Sequence, residues 1–589
     1  MLPQQKLQSL SFCNASPKAF NHWVSGLPMA NVGEASRQLY NAIIELNQLE
    51  LPAPHRLQLM EMIRPRIYHV CELLGQHFLG HPITLPEKQR KIANLSQALQ
   101  LHLAHGYKLV LMGMIDKGAP DKQRQPLALA AHRAITALAA TLLRAAQLYS
   151  NNPIRCWHEA HQIFRYIQGR HYGHLVITDD TESEGSESSV EAAYKRLLLL
   201  GCCRPNQLRQ QELKQVYQLF YHCTDLIELN PAHDSDTLFV VDTVRDLPPI
   251  YRSLLKDRTS TIDLGLDTRE LARRINTHLD AGQKGKAQAE NFLGLSWRPP
   301  ESTLMHLAQS LGVQSTRNSA RITGQGHLQI ALGMSAAHYY CAGQVSFNTF
   351  LATSEDGENH ENNFFLSAAQ RKHDVWADAY DAERPTSLGT VDTPIDFRGA
   401  SGAVIDGSSK KPSFPLYSIP LVNKSSTGYC LHWSCEVPAA LQAGELLALR
   451  ESQKEPWSIA VIRWIRQFKE QGTHIGVEIL AMHASPCALR LMQKSGQNSE
   501  FLRALLLPAI AQTSTPESVI VPRMPFQSGH RVSLFHNGDS EQSQLSQRLS
   551  ATGSISQFAL KYRQNKSPVK APTDSARGDE DFDSLWPSL

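Results

Sequence analysis

LVNKSSTGYCLHW, residues Leu421 to Trp433, places a small polar cluster directly before a run that is typical of a β-strand. Asn423, Ser425 and Gly428 in this segment have the spacing N-x-S-x-x-G. An Asn amide supplies donors and an acceptor, a Ser hydroxyl supplies either, and Gly permits a positive φ and close approach of the backbone to a ligand. The cluster is therefore either an ordinary turn or one half of a nucleotide-binding site.

A candidate for the other half of such a nucleotide-binding site is the segment RNSAR, where Arg317 and Arg321 are four residues apart. The guanidinium group is planar and carries several N–H donors, which match phosphate oxygens and the O6/N7 edge of guanine. Two arginines at this spacing can clamp a small ligand that carries both phosphates and guanines. Each motif alone is weak, because helices often carry paired arginines on solvated faces and N-x-S-x-x-G is a common turn.

The sequence around the polar cluster is consistently strand-like. The runs GYCLHW, GELLALRE, WSIAVIRWIRQ and HIGVEILA are rich in Val, Ile, Leu and Trp and are separated by turns. Their spacing predicts an antiparallel sheet or a small barrel. Further β-like runs follow: LRALLLPAI, ESVIVPRM, HRVSLFHNG and ISQFALKYR.

The two motifs, in this order and followed by these strands, resemble the PilZ family of cyclic di-GMP receptors. The segments LQAGELLALRE, WSIAVIRWI and THIGVEIL resemble the family's Gly-containing turn, its Val-x-Trp strand and its closing iGv strand. The resemblance implies that Arg317 and Arg321 grip the phosphates and guanines of cyclic di-GMP. It also implies that Asn423 and Ser425 hold a guanine edge, and that Gly428 shapes the turn.

The separation of the two motifs departs from the family pattern. Residues 322–422 lie between Arg321 and Asn423, whereas the family has a few tens of residues there. We interpret the excess as an insertion in the barrel at about 353–411. The whole layout, with a helical first half, a PilZ-like barrel and an extra β-rich end, resembles that of the large PilZ proteins of proteobacteria.

The remainder of the chain predicts a multidomain α+β protein. Its first half has the three- and four-residue hydrophobic periodicity of a helical bundle or an irregular solenoid, as at Leu59, Ile63, Ile67, Val70 and Leu74. The predicted regions are a flexible N-terminus (1–15), an all-helical domain (16–236), an α/β connecting segment (237–296), a PilZ-like antiparallel β-barrel (297–486), an additional β-rich segment (487–563) and a disordered tail (564–589).

Composition excludes several classes of function. The chain has 58 Lys and Arg against 55 Asp and Glu, a net charge of +3, which is too small to indicate DNA or an anionic membrane as a bulk partner. No secretory segment is recognisable, so the ten cysteines predict reduced thiols and a cytoplasmic location. The apolar window Leu127 to Tyr149 contains Arg133 and Arg144, so we predict no membrane span.

No P-loop, G-x-S-x-G motif, catalytic triad or metal-ligand spacing is recognisable in the sequence. We therefore expect no enzyme activity, no metal and no cofactor. The leading hypothesis is a cytosolic effector that binds cyclic di-GMP and transmits its level to an unidentified protein target through the helical region, in motility, pili, biofilm or secretion. The alternatives are a degenerate PilZ adaptor that binds proteins without nucleotide, and an enzyme or chaperone in the helical half.

Overall fold

The structure is a computed structural model. It describes residues 2–116, 123–179, 181, 187–232, 237–255, 262–283, 291–313, 321–352, 414–468, 472–492, 499–509 and 515–562.

The first region is built of helices around one large buried core. The residues of the hydrophobic pattern at Leu59, Ile63, Ile67, Val70 and Leu74 are all buried, and their helix continues through Pro65. The helices are α1 (Pro17–Ser25), α2 (Val32–Gln48), α3 (Ala53–Gly75), α4 (Glu87–Ile115), α5 (Arg124–Gln147), α6 (Cys156–Gly169), α7 (Val190–Cys202) and α8 (Gln210–Leu219), with 3-10 turns at Pro205–Gln207 and Phe220–Leu226 and a short strand pair β1 (Ile177–Thr178) and β2 (Glu187–Ser188).

Helix α5 lies inside this region. Among the described residues it is the single helix that is long and apolar enough to cross a membrane, and 72% of its apolar window is buried inside the protein. Arg133 of α5 and Arg64 of α3 each donate a hydrogen bond of 2.6 Å to the buried carboxylate of Asp179. Burial alone would raise the pKa of Asp179, but these two cations lower it to about 2. The charge of Arg133 on α5 is thus compensated within the protein.

A small α/β unit follows the helices. The strands are β3 (Glu228–Pro231), β4 (Phe239–Val241), β5 (Ile250–Tyr251) and β6 (Leu264–Asp267), and they form an antiparallel sheet in the order β3-β6-β4-β5. Helix α9 (Arg269–Gln283) begins after Asp267, whose carboxylate accepts a hydrogen bond from the backbone N–H of Arg269. Helix α10 (Glu301–Leu311) then packs against α9.

The middle β-region is an antiparallel sheet that closes on itself. Its elements are β7 (Ile322–Thr323), β8 (His327–Leu332), α11 (Met334–Cys341), α12 (Phe347–Leu351), β9 (Leu416–Ser425), β10 (Gly428–Trp433), β11 (Leu446–Arg450), β12 (Ser458–Phe468) and β13 (Gly472–Ala481). The strand order is β10-β13-β12-β11-β8-β9-β7, and β9 also pairs with β10, which completes the ring. We call this ring the middle barrel.

A second closed barrel forms the last described region. Its strands are β14 (Ser485–Leu491), β15 (Leu502–Leu507), β16 (Ser518–Pro522), β17 (Arg531–His536), β18 (Asp539–Ala551) and β19 (Ile555–Tyr562), in the order β14-β15-β16-β19-β18-β17. We call it the C-terminal barrel. The multidomain α+β architecture predicted from the sequence is confirmed, including the antiparallel barrel and the β-rich end. The predicted insertion and tail lie outside the described residues.

Arg209 joins all three parts of the protein. It precedes α8, and its guanidinium donates to the carbonyl of Ala443 (3.1 Å) and to Glu445 (3.3 Å) in the middle barrel. The same group also bonds the Ser554 hydroxyl of the C-terminal barrel. Since Glu445 is buried, this hydrogen-bonded junction fixes the helical region against both barrels.

Candidate functional site

The N-x-S-x-x-G cluster lies at the hairpin between β9 and β10. Ser425 pairs with Gly428 and Asn423 pairs with Cys430 across this hairpin, and the Ser425 hydroxyl donates to the Gly428 carbonyl at 3.2 Å. Leu431, the next residue along β10, is buried in the interior of the middle barrel. Because side chains alternate along a strand, Cys430 and the three motif residues face outward. We call this outward surface around Asn423, Ser425 and Gly428 the motif face.

The contacts around Gly428 explain why this position requires a glycine. Its backbone is not in the left-handed region, so the positive φ that a glycine permits is not used at this position. A Cβ at this position would instead overlap the backbone carbonyl of Val477 on β13. The glycine therefore lets β10 approach β13 closely, and it leaves that point of the motif face without a side chain.

Arg321 lies at the edge of the same face. It directly precedes β7, in which Ile322 pairs with Lys424 and Thr323 with Asn423. Strand alternation puts Arg321 on the side of Thr323 and Asn423, at the level of Ser425. Its side chain is exposed, and it forms no ion pair with any residue that the structure describes.

The electrostatics agree with this position of Arg321. Burial raises the pKa of the Cys430 thiol, and the positive charge of Arg321 acts in the opposite direction. Cys430 is the strand partner of Asn423, so Arg321 and Asn423 share one neighbourhood. Arg317 lies outside the described residues. The structure thus brings together four of the five predicted site residues: Arg321, Asn423, Ser425 and Gly428.

Arg321 and Asn423 are far apart in the sequence, but strand pairing with β9 brings them close together. After β7 the chain continues through Gly324 and Gly326 into β8, and β8 pairs with the first half of β9 from His327–Pro420 to Ala331–Leu416. The Gly324 N–H also donates to the Val422 carbonyl at 3.2 Å. After α12 the described chain resumes before β9, the strand that β7 and β8 contact, so Arg321 and the second motif lie at one edge.

The sequence reasoning missed two charged residues on the motif face. Glu478 of β13 pairs with Gly428, and it forms an ion pair with Arg463 of β12. Arg463 is the extra residue of a β-bulge, because Ile462 and Trp464 oppose consecutive residues of β13. Glu478 was detectable from the pattern, since it follows the glycine of the iGv strand by two positions and therefore shares its face. The bulge has no comparable signal.

The comparisons with known proteins cover nearly the whole chain. Family models of the cyclic-di-GMP receptor FimW match its N-terminal domain at residues 18–233, its middle PilZ domain at 238–486 and its C-terminal β-barrel domain at 487–563. The cyclic-di-GMP receptor FimW of Pseudomonas aeruginosa strain PAO1 is 41% identical over 610 aligned positions, which cover 100% of this chain and 98% of that protein. The chain belongs to the FimW family. The comparison with solved structures found no match.

Membership of the FimW family confirms the resemblance to PilZ proteins. The family model for the middle PilZ domain begins at residue 238, and so it includes the α/β unit that we separated as 237–296. The FimW model for the C-terminal β-barrel spans 487–563, the same range as the additional β-rich segment. FimW is described as a cyclic-di-GMP receptor, and this description does not specify a target.

Proposed function

We propose that this chain binds cyclic di-GMP on the motif face and acts as a non-enzymatic effector that reports the level of this second messenger to a protein target. The observation that carries the proposal is the meeting of Arg321 with Asn423 and Ser425 on one outward surface. A cation that has no acidic partner among the described residues, beside amide and hydroxyl groups, suits a ligand that carries phosphates and purines. The description of the FimW family as cyclic di-GMP receptors supports the same ligand.

Each motif residue has a distinct role in this proposal. Arg321, together with Arg317, binds the phosphates and the O6/N7 edge of a guanine. Asn423 and Ser425 bind the edge of a base through their amide and hydroxyl groups. Gly428 provides a surface without a side chain on which the base can approach the backbone.

The proposed route to the target is the helical region. Ile83 and Tyr149 of that region belong to the buried cluster that fills the middle barrel, and the backbone N–H of Gln467 donates to the Tyr149 carbonyl at 2.8 Å. A ligand that binds one arrangement of these contacts better than another shifts the population of surfaces offered to a partner. We further propose that the protein acts in the cytoplasm, in a process such as motility, pilus function, biofilm formation or secretion.

Isothermal titration of the full-length protein with cyclic di-GMP tests the binding. We expect saturable heat from the unmodified chain and a loss of at least about tenfold in affinity for Arg321→Ala, because a charge-assisted hydrogen bond is worth ~1.5–3 kcal/mol. The double variant Arg317→Ala/Arg321→Ala should bind more weakly still. Arg37→Ala is the matched control, since Arg37 is 65% exposed on α2 of the helical region.

The adaptor alternative gives a different result. It predicts no heat with cyclic di-GMP, and a protein partner that co-purifies equally with and without nucleotide. Equal recovery of that partner by the unmodified chain and by the double Arg variant would decide for the adaptor. Nucleotide-dependent recovery that the double variant loses would decide for the sensor.

A further inference from the structure

A row of residues crosses the motif face from one strand to the next. Ser425 on β9 pairs with Gly428 on β10, which pairs with Glu478 on β13. Neighbouring strands lie ~4.8 Å apart, so the backbones of Ser425 and Glu478 are separated by about 10 Å with only a glycine between them. This gap is wide enough for a flat base that contacts Ser425 on one side and Glu478 on the other.

The surroundings define where such a base can lie. The Trp464 indole covers Gly476, the next outward residue of β13, because a Cβ on that glycine would overlap the indole ring. Beyond Glu478 the row continues to Val461 on β12, which is buried, and β12 also packs against the turn Pro205–Gln207 of the helical region. The open part of the row therefore runs from Arg321 to Glu478 and is closed at the acidic end.

The charges at that closed end have the chemistry to recognise guanine. Glu478 and Arg463 are paired, and their side chains are 46% and 36% exposed, so both can reach a ligand. A carboxylate has two acceptor oxygens and no donor, which matches the adjacent N1–H and N2–H groups of guanine. An arginine beside it can donate to the neighbouring O6. Adenine presents the opposite pattern, with no hydrogen on N1 and an amino group at position 6.

Asn423 of the motif is less suited than Glu478 to accept hydrogen bonds from the N1–H and N2–H groups of guanine. Its amide has a single acceptor oxygen, so it cannot offer each of the two guanine donors an oxygen of its own as a carboxylate can. We propose that Glu478, held by Arg463, is the residue that selects guanine over other purines at this site. This inference rests on the proposed function, because it assigns a specificity residue to the proposed cyclic di-GMP site.

The first test is isothermal titration of full-length Glu478→Gln with cyclic di-GMP. Glutamine has nearly the same shape but only one acceptor, and we expect affinity to fall by about tenfold or more. Glu451→Gln is the matched control. Glu451 is also half-exposed (42%) and paired with a cation, Lys424, but it lies at the rim of the barrel with Tyr429 and not on the motif face. We expect this control to bind like the unmodified chain.

The second test uses cyclic di-inosine monophosphate, which lacks the 2-amino group of guanine. The unmodified chain should bind this analogue about tenfold more weakly than cyclic di-GMP, and Glu478→Ala should bind the two equally. Unchanged cyclic di-GMP affinity in Glu478→Gln, or undiminished discrimination in Glu478→Ala, would overturn the role of Glu478 alone. Absence of cyclic di-GMP binding by the unmodified chain would overturn the proposed function with it.

Discussion

The middle barrel and the C-terminal barrel have the same architecture but different surfaces. Both are closed antiparallel rings with an apolar interior. The middle barrel keeps an outward face with an exposed Arg321, two motif side chains and a bare glycine. The C-terminal barrel uses outward groups for packing, since the Cys487 carbonyl accepts from His338 of α11 and Phe535 contacts Phe350 of α12.

This difference shows that the ring of strands is a scaffold and that the chemistry resides in a few outward side chains. Alternation gives any strand one row of residues for the core and a second row for the surface. In the middle barrel the second row carries polar groups and glycines at strand positions near an edge. In the C-terminal barrel part of that row carries groups that suit contact with another domain.

The largest effect should come from damage to the interior of the C-terminal barrel. Leu489→Ala removes a fully buried side chain of β14, and we expect a loss of about 2–5 kcal/mol in unfolding free energy, measured with denaturant. Below the unfolding transition, titration should show unchanged cyclic di-GMP affinity, because the motif face belongs to the other barrel. A large loss of affinity in the folded variant would show that the two barrels act as one unit in binding.

A smaller effect is expected from Gly428→Ala in the middle barrel. The added methyl overlaps a backbone carbonyl of β13, so the strands must separate, at a cost of about 1–3 kcal/mol. Nucleotide affinity should fall as well, since the methyl occupies the bare point of the motif face. Gly282→Ala is the control, because its Cβ would meet no atom within 4 Å, and its stability should equal or slightly exceed that of the unmodified chain, since Ala favours a helix more than Gly does. Equal stability of the two variants would contradict the close approach.

The smallest effect concerns pH at the contact between the barrels. Burial, with a contribution from the charge of Arg503, lowers the pKa of His338 from 6.5 to about 3. Between pH 6.5 and 3 the unfolded chain binds a proton at this position that the folded chain does not, so stability falls as pH falls. The difference should be about 1 kcal/mol on going from pH 6.5 to 5.5. Thermal melting of His338→Gln should show a shallower pH dependence over this window, whereas an equal dependence would assign the proton to another group.

The sequence predicted the elements of the middle barrel well, because its strands are long runs of apolar residues. The segments quoted as GYCLHW and HIGVEILA correspond to β10 and β13, and all of β10 pairs with β13. The motif residues were predicted from their chemistry together with the resemblance to the PilZ family, since few side chains match phosphates and guanine edges. The ligand-binding roles of all five residues stay predictions.

Other features depend on pairing between strands and could not be predicted. The overlap that requires Gly428 involves Val477, which lies on another strand, so only the register of β10 against β13 reveals it. The bulge at Arg463 is an extra residue in an otherwise regular strand, and it turns this side chain towards Glu478. Sequence patterns report which face a residue prefers, but they do not report its neighbour across a sheet.

The junction at Arg209 has a consequence for how the chain can be divided. A fragment that ends before residue 487 would remove Ser554 from the Arg209 guanidinium, and a fragment that begins after 236 would remove Arg209 from the buried carboxylate of Glu445. Loss of a charged partner at a newly exposed surface favours loosening or self-association of the fragment. Affinity measured on an excised middle barrel would therefore describe a protein whose domain interfaces have been altered. Keeping the three regions in one chain preserves these interfaces.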